Sequence, residues 1–274
     1  MLLGIDHLVI AVPEPDAAAA DLEAALGLAA TGGGRHERAG TFNRLIFLGD
    51  TYLELIGVWD RALASAHPIG AAALAALDAG TPGLVTWAIA TDDAQREVAA
   101  LRAAGSTIGN AVPGERVRPD GGVVRWHVAT AEPLAADRPP FLIEHELAGP
   151  EWGDAARRAR AAFIHPFGGQ ARVVGLELAV AHPSEVAADL ARTVGVAFSP
   201  APGAQPGDQE ARVGDHSIRL VASGPREWSE AGPGLGRESV PSRIRGGPTA
   251  RVGLLATAGE RLLVDLCGVR FARL

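Results

Sequence analysis

The sequence predicts an α+β fold built from one strand–helix–strands unit used repeatedly. Three segments share a layout: IDHLVIAVPEPDAAAADLEAALG at 5–27, LVTWAIATDDAQREVAALRAAG at 84–105 and VVGLELAVAHPSEVAADLARTVG at 173–195. Short strand candidates follow each of them. With 47% apolar residues in 274, the chain can also bury a sizeable core.

Each shared segment opens on an apolar, β-branched run of strand length. Pro or Asp follows, as suits a turn or helix N-cap. An Ala/Leu-rich stretch of helical periodicity comes next, and Gly closes it at the C′ position. The strands expected in the first unit are 41–48 and 51–58, turned by Gly49-Asp50. In the second they are 122–129 and 140–147, and in the third 210–215 and 216–222. The tail, 250–256 and 260–274, reads as strands of a partial fourth unit with no evident helix. Residues 60–83 are Ala-rich and read as helical, whereas 148–170, 199–209 and 223–248 read as linkers or loops. The expected division is 1–148, holding two paired units at 4–59 and 83–148, and 149–274, holding the third unit and the partial fourth. Such repetition places helices on one face of each sheet and leaves the other face free to form a cleft.

Composition removes several function classes. The net charge of −7 disfavours a nucleic-acid binder, which needs a basic face. All 25 basic residues are arginine, so neither a P-loop lysine nor a Schiff-base lysine is available. The single cysteine, Cys267, excludes an intrachain disulfide and suits a reducing compartment. The start lacks a basic n-region, and no apolar run reaches the roughly 20 residues of a membrane span. The expectation is a cytoplasmic protein with no membrane or nucleic-acid partner. Gly32–Arg35 lacks the strand–turn–helix setting of a dinucleotide fingerprint, so no nucleotide cofactor is expected. No G-x-S-x-G elbow is present for a hydrolase.

The opening IDHLVIAVPEPDAAAADL resembles the start of vicinal-oxygen-chelate proteins, a group that includes glyoxalase I, extradiol dioxygenases, methylmalonyl-CoA epimerase and bleomycin-resistance proteins. NRLIFLGDTYLELIG, RPDGGVVRW and PFLIEHE resemble a glyoxalase-like bacterial subgroup more closely. The resemblance implies βαβββ units paired around a cleft, with metal ligands on the first and last strands of two paired units. Carried over by position, it implies His7, Glu54 and Glu144 as ligands, with Thr86 at the fourth place. Thr is a poor ligand for a divalent ion. One imidazole and two carboxylates would suit Zn²⁺, Mn²⁺, Fe²⁺ or Ni²⁺. The implied activity is a metal-dependent lyase or isomerase acting on a small vicinal-oxygen substrate, with Glu54 or Glu144 moving the proton. A non-catalytic small-molecule binder and an extradiol-type dioxygenase stand as alternatives, and a homodimer is a further expectation from the resemblance.

Strand alternation places His7 with Val9 and Ala11 on one face, and Glu54 with Tyr52. It places Glu144 with Leu142 and Glu146, and His145 on the opposite face. Arg44 and Arg125 are equivalent in the repeat; they either hold a substrate anion or neutralise Glu54 and Glu144. Tyr52 and His127 are further candidates to line the cleft, His127 also as a substitute ligand. His165 is a candidate to border the cleft, Trp87 and Trp126 read as helix-side core, and His36, His67 and His182 read as exposed. Gly175 and Arg219 stand in the third unit where His7 and Glu54 stand in the first, so that unit reads as structural.

Overall fold

The computed structural model describes residues 1–201, 205–223, 250–259 and 262–273. The first unit runs β1 (Leu2–Ala11), α1 (Pro15–Leu26), β2 (Gly32–His36), β3 (Thr41–Leu48) and β4 (Thr51–Val58). Two helices, α2 (Arg61–Ser65) and α3 (Pro68–Asp78), lead to the second unit. That unit is β5 (Gly83–Thr91), α4 (Ala94–Ala103), β6 (Val112–Val117), β7 (Val123–Ala129) and β8 (Phe141–His145). After α5 (Asp154–Ala162) the third unit follows as β9 (Ala171–Val180), α6 (Pro183–Val194), β10 (Ser199–Pro200), β11 (Gln209–Val213) and β12 (His216–Ala222). The tail supplies β13 (Ala250–Ala256), β14 (Leu262–Leu266) and β15 (Val269–Arg273). The expected loop at 223–248 lies almost wholly outside the described residues.

The first two units close into a barrel of order β1-β4-β3-β2-β6-β7-β8-β5. The remaining described strands form an open sheet, β10-β11-β12-β9-β13-β15-β14, which repeats the barrel's order; among the described residues β6 has no counterpart in it. Register confirms the equivalence. His7 pairs with Tyr52 and Val9 with Glu54 in the barrel. Gly175 pairs with Ser217 and Glu177 with Arg219 in the open sheet. The third unit's Arg219 bonds Glu177 at 3.2 Å.

Local chemistry explains the helices. α1 and α6 begin with Pro at the first turn and end at Gly27 and Gly195, whose φ values of 66° and 73° are left-handed. Asp93 caps α4 by accepting from the backbone N–H of Arg96. The outward faces of β1, β4 and β5 (Leu8, Ile10, Leu53, Leu55, Trp87 and Ile89) merge with α1, α6 and the open sheet into one apolar core. A second, smaller cluster of Val9, Ala11, Ile56, Ala88, Phe141 and Ile143 lies inside the barrel.

Two strands of the barrel escape the sequence reading. β2 is Gly32-Gly33-Gly34-Arg35-His36, and β6 contains Pro113 and Gly114, so neither carries the β-branched alternation of a strand. They meet through Arg35 and Val117, and this pairing closes the barrel. A Cβ on Gly34 would lie 2.1 Å from the Val117 carbonyl oxygen, so only glycine lets the two backbones approach.

Candidate functional site

A cavity of about 820 Å³ opens inside the barrel. His7 and Tyr52 come from β1 and β4, whose register sets them side by side; their rings stack at 4.4 Å and 11°. His7 Nε2 lies 3.5 Å from Glu54 Oε2. Glu54 Oε1 accepts from Asn43 Nδ2 at 2.6 Å. His7, Asn43, Tyr52 and Glu54 are all buried.

Asp6 is the principal residue that strand alternation missed. The β1–β5 register shifts between Ile5 and His7, a bulge that lets Asp6 turn to the same side as its neighbour. Asp6 Oδ1 meets His7 Nδ1 at 2.6 Å, and its two oxygens meet His145 Nε2 at 3.1 and 3.0 Å. Burial alone would raise the Asp6 carboxyl, but the adjacent His145 and His7 hold it below the usual carboxylate range. His145 stacks on Trp152 at 3.8 Å. A carboxylate on Nδ1 fixes the tautomer that leaves His7 Nε2 to face Glu54.

The structure brings His7 and Glu54 together and does not bring Glu144 to them. On β8, Phe141 and Ile143 face the barrel interior and Leu142 the outer core; Glu144 shares Leu142's face, although it also borders the cavity. Glu144 Oε2 accepts from the backbone N–H of Ala94 at 2.9 Å, at the start of α4, where free N–H groups and the helix dipole favour a carboxylate. Register also revises the equivalence of the units. Ala88 pairs with Phe141, as Val9 pairs with Glu54. With Thr86 standing for His7, Phe141 stands for Glu54.

A divalent ion therefore does not fit the residues present. One unit offers His7 and Glu54; the other offers a buried Thr86 and a phenyl ring, whose edge packs on His7 at 5.3 Å. Among the described residues no group of three His, Cys, Asp or Glu side chains is placed to hold an ion.

The remaining expected residues fall as follows. Arg44 points outward and pairs with Asp16 of α1. Arg125 is half-exposed at the rim, 3.6 Å from Glu115. Neither arginine neutralises Glu54. His127 borders the cavity on β7, opposite Glu144 in register. His165 is buried away from the cavity, accepting from Ala29 N–H at Nδ1 and donating to the Phe47 carbonyl from Nε2. Trp87 belongs to the outer core as expected, but Trp126 lines the cavity, edge-on to His36. His36 and His67 also line it. Burial lowers the His36 imidazole to about 4, Glu54 opposing and Arg116 assisting; burial likewise lowers His67.

A buried ion pair completes the wall. Arg116 Nη2 donates to Glu151 Oε2 at 2.6 Å. Arg116 lies on the unrecognised strand β6 and Glu151 in a stretch read as linker, so neither was a candidate. Asn43 had one visible signal: it is a polar residue sharing the inward face of β3 with Leu45 and Phe47.

The fold and its barrel cavity define a vicinal-oxygen-chelate type of protein. The chain belongs to the glyoxalase-like domain family, whose model matches residues 5–194. Its structure is similar to that of a hypothetical protein from Staphylococcus aureus, with 16% identity, a TM-score of 0.72 and all of both chains covered. A methylmalonyl-CoA epimerase variant from Streptomyces coelicolor is similar over 53% of this chain and 98% of that one, at 19% identity and a TM-score of 0.40. The methylmalonyl-CoA epimerase of Mycobacterium tuberculosis covers 52% and 87%, at 19% identity and a TM-score of 0.38. No curated protein matches. Among the described residues no helix is long and apolar enough to cross a membrane.

Proposed function

We propose that the barrel cavity is a metal-independent acid–base site, used by an isomerase or lyase that moves a proton next to a carbonyl of a small molecule. The observation that carries this is the Asp6–His7–Glu54 array. Asp6 orients the His7 ring and keeps Nε2 toward Glu54. Glu54 in turn is held by Asn43. A carboxylate and an imidazole on one face can take a proton and return one, and each is positioned by its own partner. Apolar walls from Leu45, Ile56, Phe141 and Ile143 keep water from the reacting carbon.

The test is solvent-deuterium incorporation into a panel of small carbonyl compounds in the presence of chelator, followed by NMR. Glu54→Gln and His7→Asn are each expected to lower exchange by about 10²–10⁴-fold. Exchange that survives both changes, or that needs an added divalent ion, contradicts the proposal.

One observation favours the non-catalytic alternative: Tyr52, Trp126 and Phe141 all line the cavity, the aromatic surface that a sequestering protein would use. Tight binding of a compound with no exchange at any of its carbons would select that alternative.

A further inference from the structure

The bulge that turns Asp6 toward His7 is held from outside the barrel. β1 shifts register against β5 between Leu2 and Gly4 and again between Ile5 and His7, so Ile5 sits between two irregularities. Side chains meet both of its backbone groups. The Ile5 N–H donates to His216 Nδ1 at 3.1 Å, and the Ile5 carbonyl accepts from Thr51 Oγ1 at 3.2 Å. Thr51 Oγ1 in turn lies 3.3 Å from His216 Nε2. The backbone groups cannot change their roles, so they set the others. Nδ1 accepts, which puts the ring proton on Nε2; Nε2–H donates to Thr51, whose own proton goes to the Ile5 carbonyl. Burial lowers the His216 imidazole, with Arg172 and Arg212 assisting and Asp215 and the Val213 carbonyl opposing. The ring is therefore neutral near pH 7, and Nδ1 is free to accept.

His216 belongs to the third unit. It opens β12, directly after the Gly214-Asp215 turn from β11. Glycines let that turn approach β1 closely. A Cβ on Gly214 would collide with the Leu3 carbonyl oxygen, and one on Gly4 would lie 2.6 Å from His216 Nδ1. The cycle of bonds reaches the site through the chain. The Ile5 carbonyl lies in the same peptide plane as the Asp6 nitrogen, and Thr51 precedes Tyr52, which stacks on His7. Fixing that plane fixes the point from which Asp6 reaches His7 Nδ1 at 2.6 Å.

We propose that His216 is a positioning residue of the barrel site: through it the third unit clamps the Ile5–Asp6 bulge and so the Asp6–His7 pair. The clamp rests on the Asp6–His7–Glu54 array being the working site, as proposed above. Without it the Ile5 N–H loses its acceptor, and β1 is released toward the regular alternation that sends Asp6 and His7 to opposite faces. A misplacement of about 1 Å at such a distance from the chemistry costs about 10²-fold in rate.

The test reads His7 directly and needs no ligand. The full chain is labelled with ¹⁵N in its histidine rings and observed at pH 7, with His7→Asn identifying the His7 signals. The native chain is expected to hold His7 in one tautomer, its proton on Nδ1 against Asp6. His216→Leu is expected to lose that single tautomer and to let the His7 ring N–H exchange with solvent at least about tenfold faster. His216→Asn, whose amide oxygen can take the Ile5 N–H, is expected to keep the native signature. Loss of packing alone would lower the Tm of both variants and leave the His7 signals in place. Thr51→Val keeps the side-chain shape and removes its donor; it is expected to move His7 in the same direction, and it decides the question if His216→Leu does not fold. A native His7 signature in either folded variant, His216→Leu or Thr51→Val, overturns the proposal. Deuterium exchange into the carbonyl panel separates the two proposals. A native chain that exchanges none of the panel, but whose His7 follows His216, loses the acid–base reading and leaves the clamp standing. Exchange that depends on His7 and Glu54, with His7 signals indifferent to His216, removes the clamp alone.

Discussion

Asp6 and His7 are neighbours in the chain, yet their side chains hydrogen-bond to each other at 2.6 Å on one side of β1. A regular strand would send them to opposite faces. The bulge between Ile5 and His7 removes that restriction and sets a carboxylate behind the imidazole that faces Glu54. Asp6→Asn is expected to lower proton exchange about 10²-fold or more while leaving ligand affinity within about twofold, because the amide can no longer select the His7 tautomer. Exchange kinetics and titration calorimetry on the same variant check the split.

Asp6 also joins His7 to His145. Asp6→Ala would leave a buried nitrogen of each ring unpaired, at about 1–3 kcal/mol apiece. Urea unfolding should therefore show a loss of about 2–6 kcal/mol. A loss below about 1 kcal/mol would mean that the bridge does not hold the two strands.

How much of this was legible in the sequence follows from which rules the residues obey. β1, β3, β4 and the helices α1, α4 and α6 follow ordinary periodicity and capping, so the repeated unit could be read directly. His7, Glu54 and Tyr52 share an inward face that alternation gives correctly. Glu144 was misplaced by one inference: likeness of the strands was taken for equivalence of register, whereas pairing puts Phe141 opposite Ala88. Asp6 was hidden by a bulge, and Arg116 by a strand containing Pro113 and Gly114. Each miss is a long-range pairing fact that no local pattern records.

Acid should destabilise the fold through its buried histidines. His36 is held neutral down to about pH 4 by burial, against an ordinary value of 6.5. Its unfolded form takes up a proton first, so its contribution is present above about pH 6.5 and is lost as pH falls toward 4. The upper bound is about 3 kcal/mol. His67, His165 and His216 are lowered in the same direction, burial being the largest cause for each. Thermal unfolding from pH 7 to pH 4 should show a falling Tm, and His36→Gln should flatten the slope. A Tm that rises toward pH 4 would contradict this.

The Arg116–Glu151 pair should be costly to break and cheap to replace. Arg116→Met alone leaves a buried carboxylate, at about 3–5 kcal/mol, whereas adding Glu151→Leu should restore most of that. A double-mutant cycle by urea denaturation reads the coupling; additive single effects would remove the pair from the cavity's support.

Thr86 and Phe141 stand in the second unit where His7 and Glu54 stand in the first, so changing both should build a donor set that the native chain lacks. Thr86→His combined with Phe141→Glu is expected to bind Zn²⁺ or Ni²⁺ at least about 100-fold more tightly than the native chain. Calorimetry checks this, and equal affinities would show that the register-based equivalence is not what governs ligation.

The most direct measurement is metal stoichiometry on the native chain after chelation and titration with Zn²⁺, Mn²⁺, Fe²⁺ and Ni²⁺, alongside Glu54→Gln. The donor geometry predicts no saturable one-to-one site in either protein, with proton exchange in the native chain unaffected by chelator. Stoichiometric uptake by the native chain that Glu54→Gln abolishes would contradict a metal-independent site at His7 and Glu54.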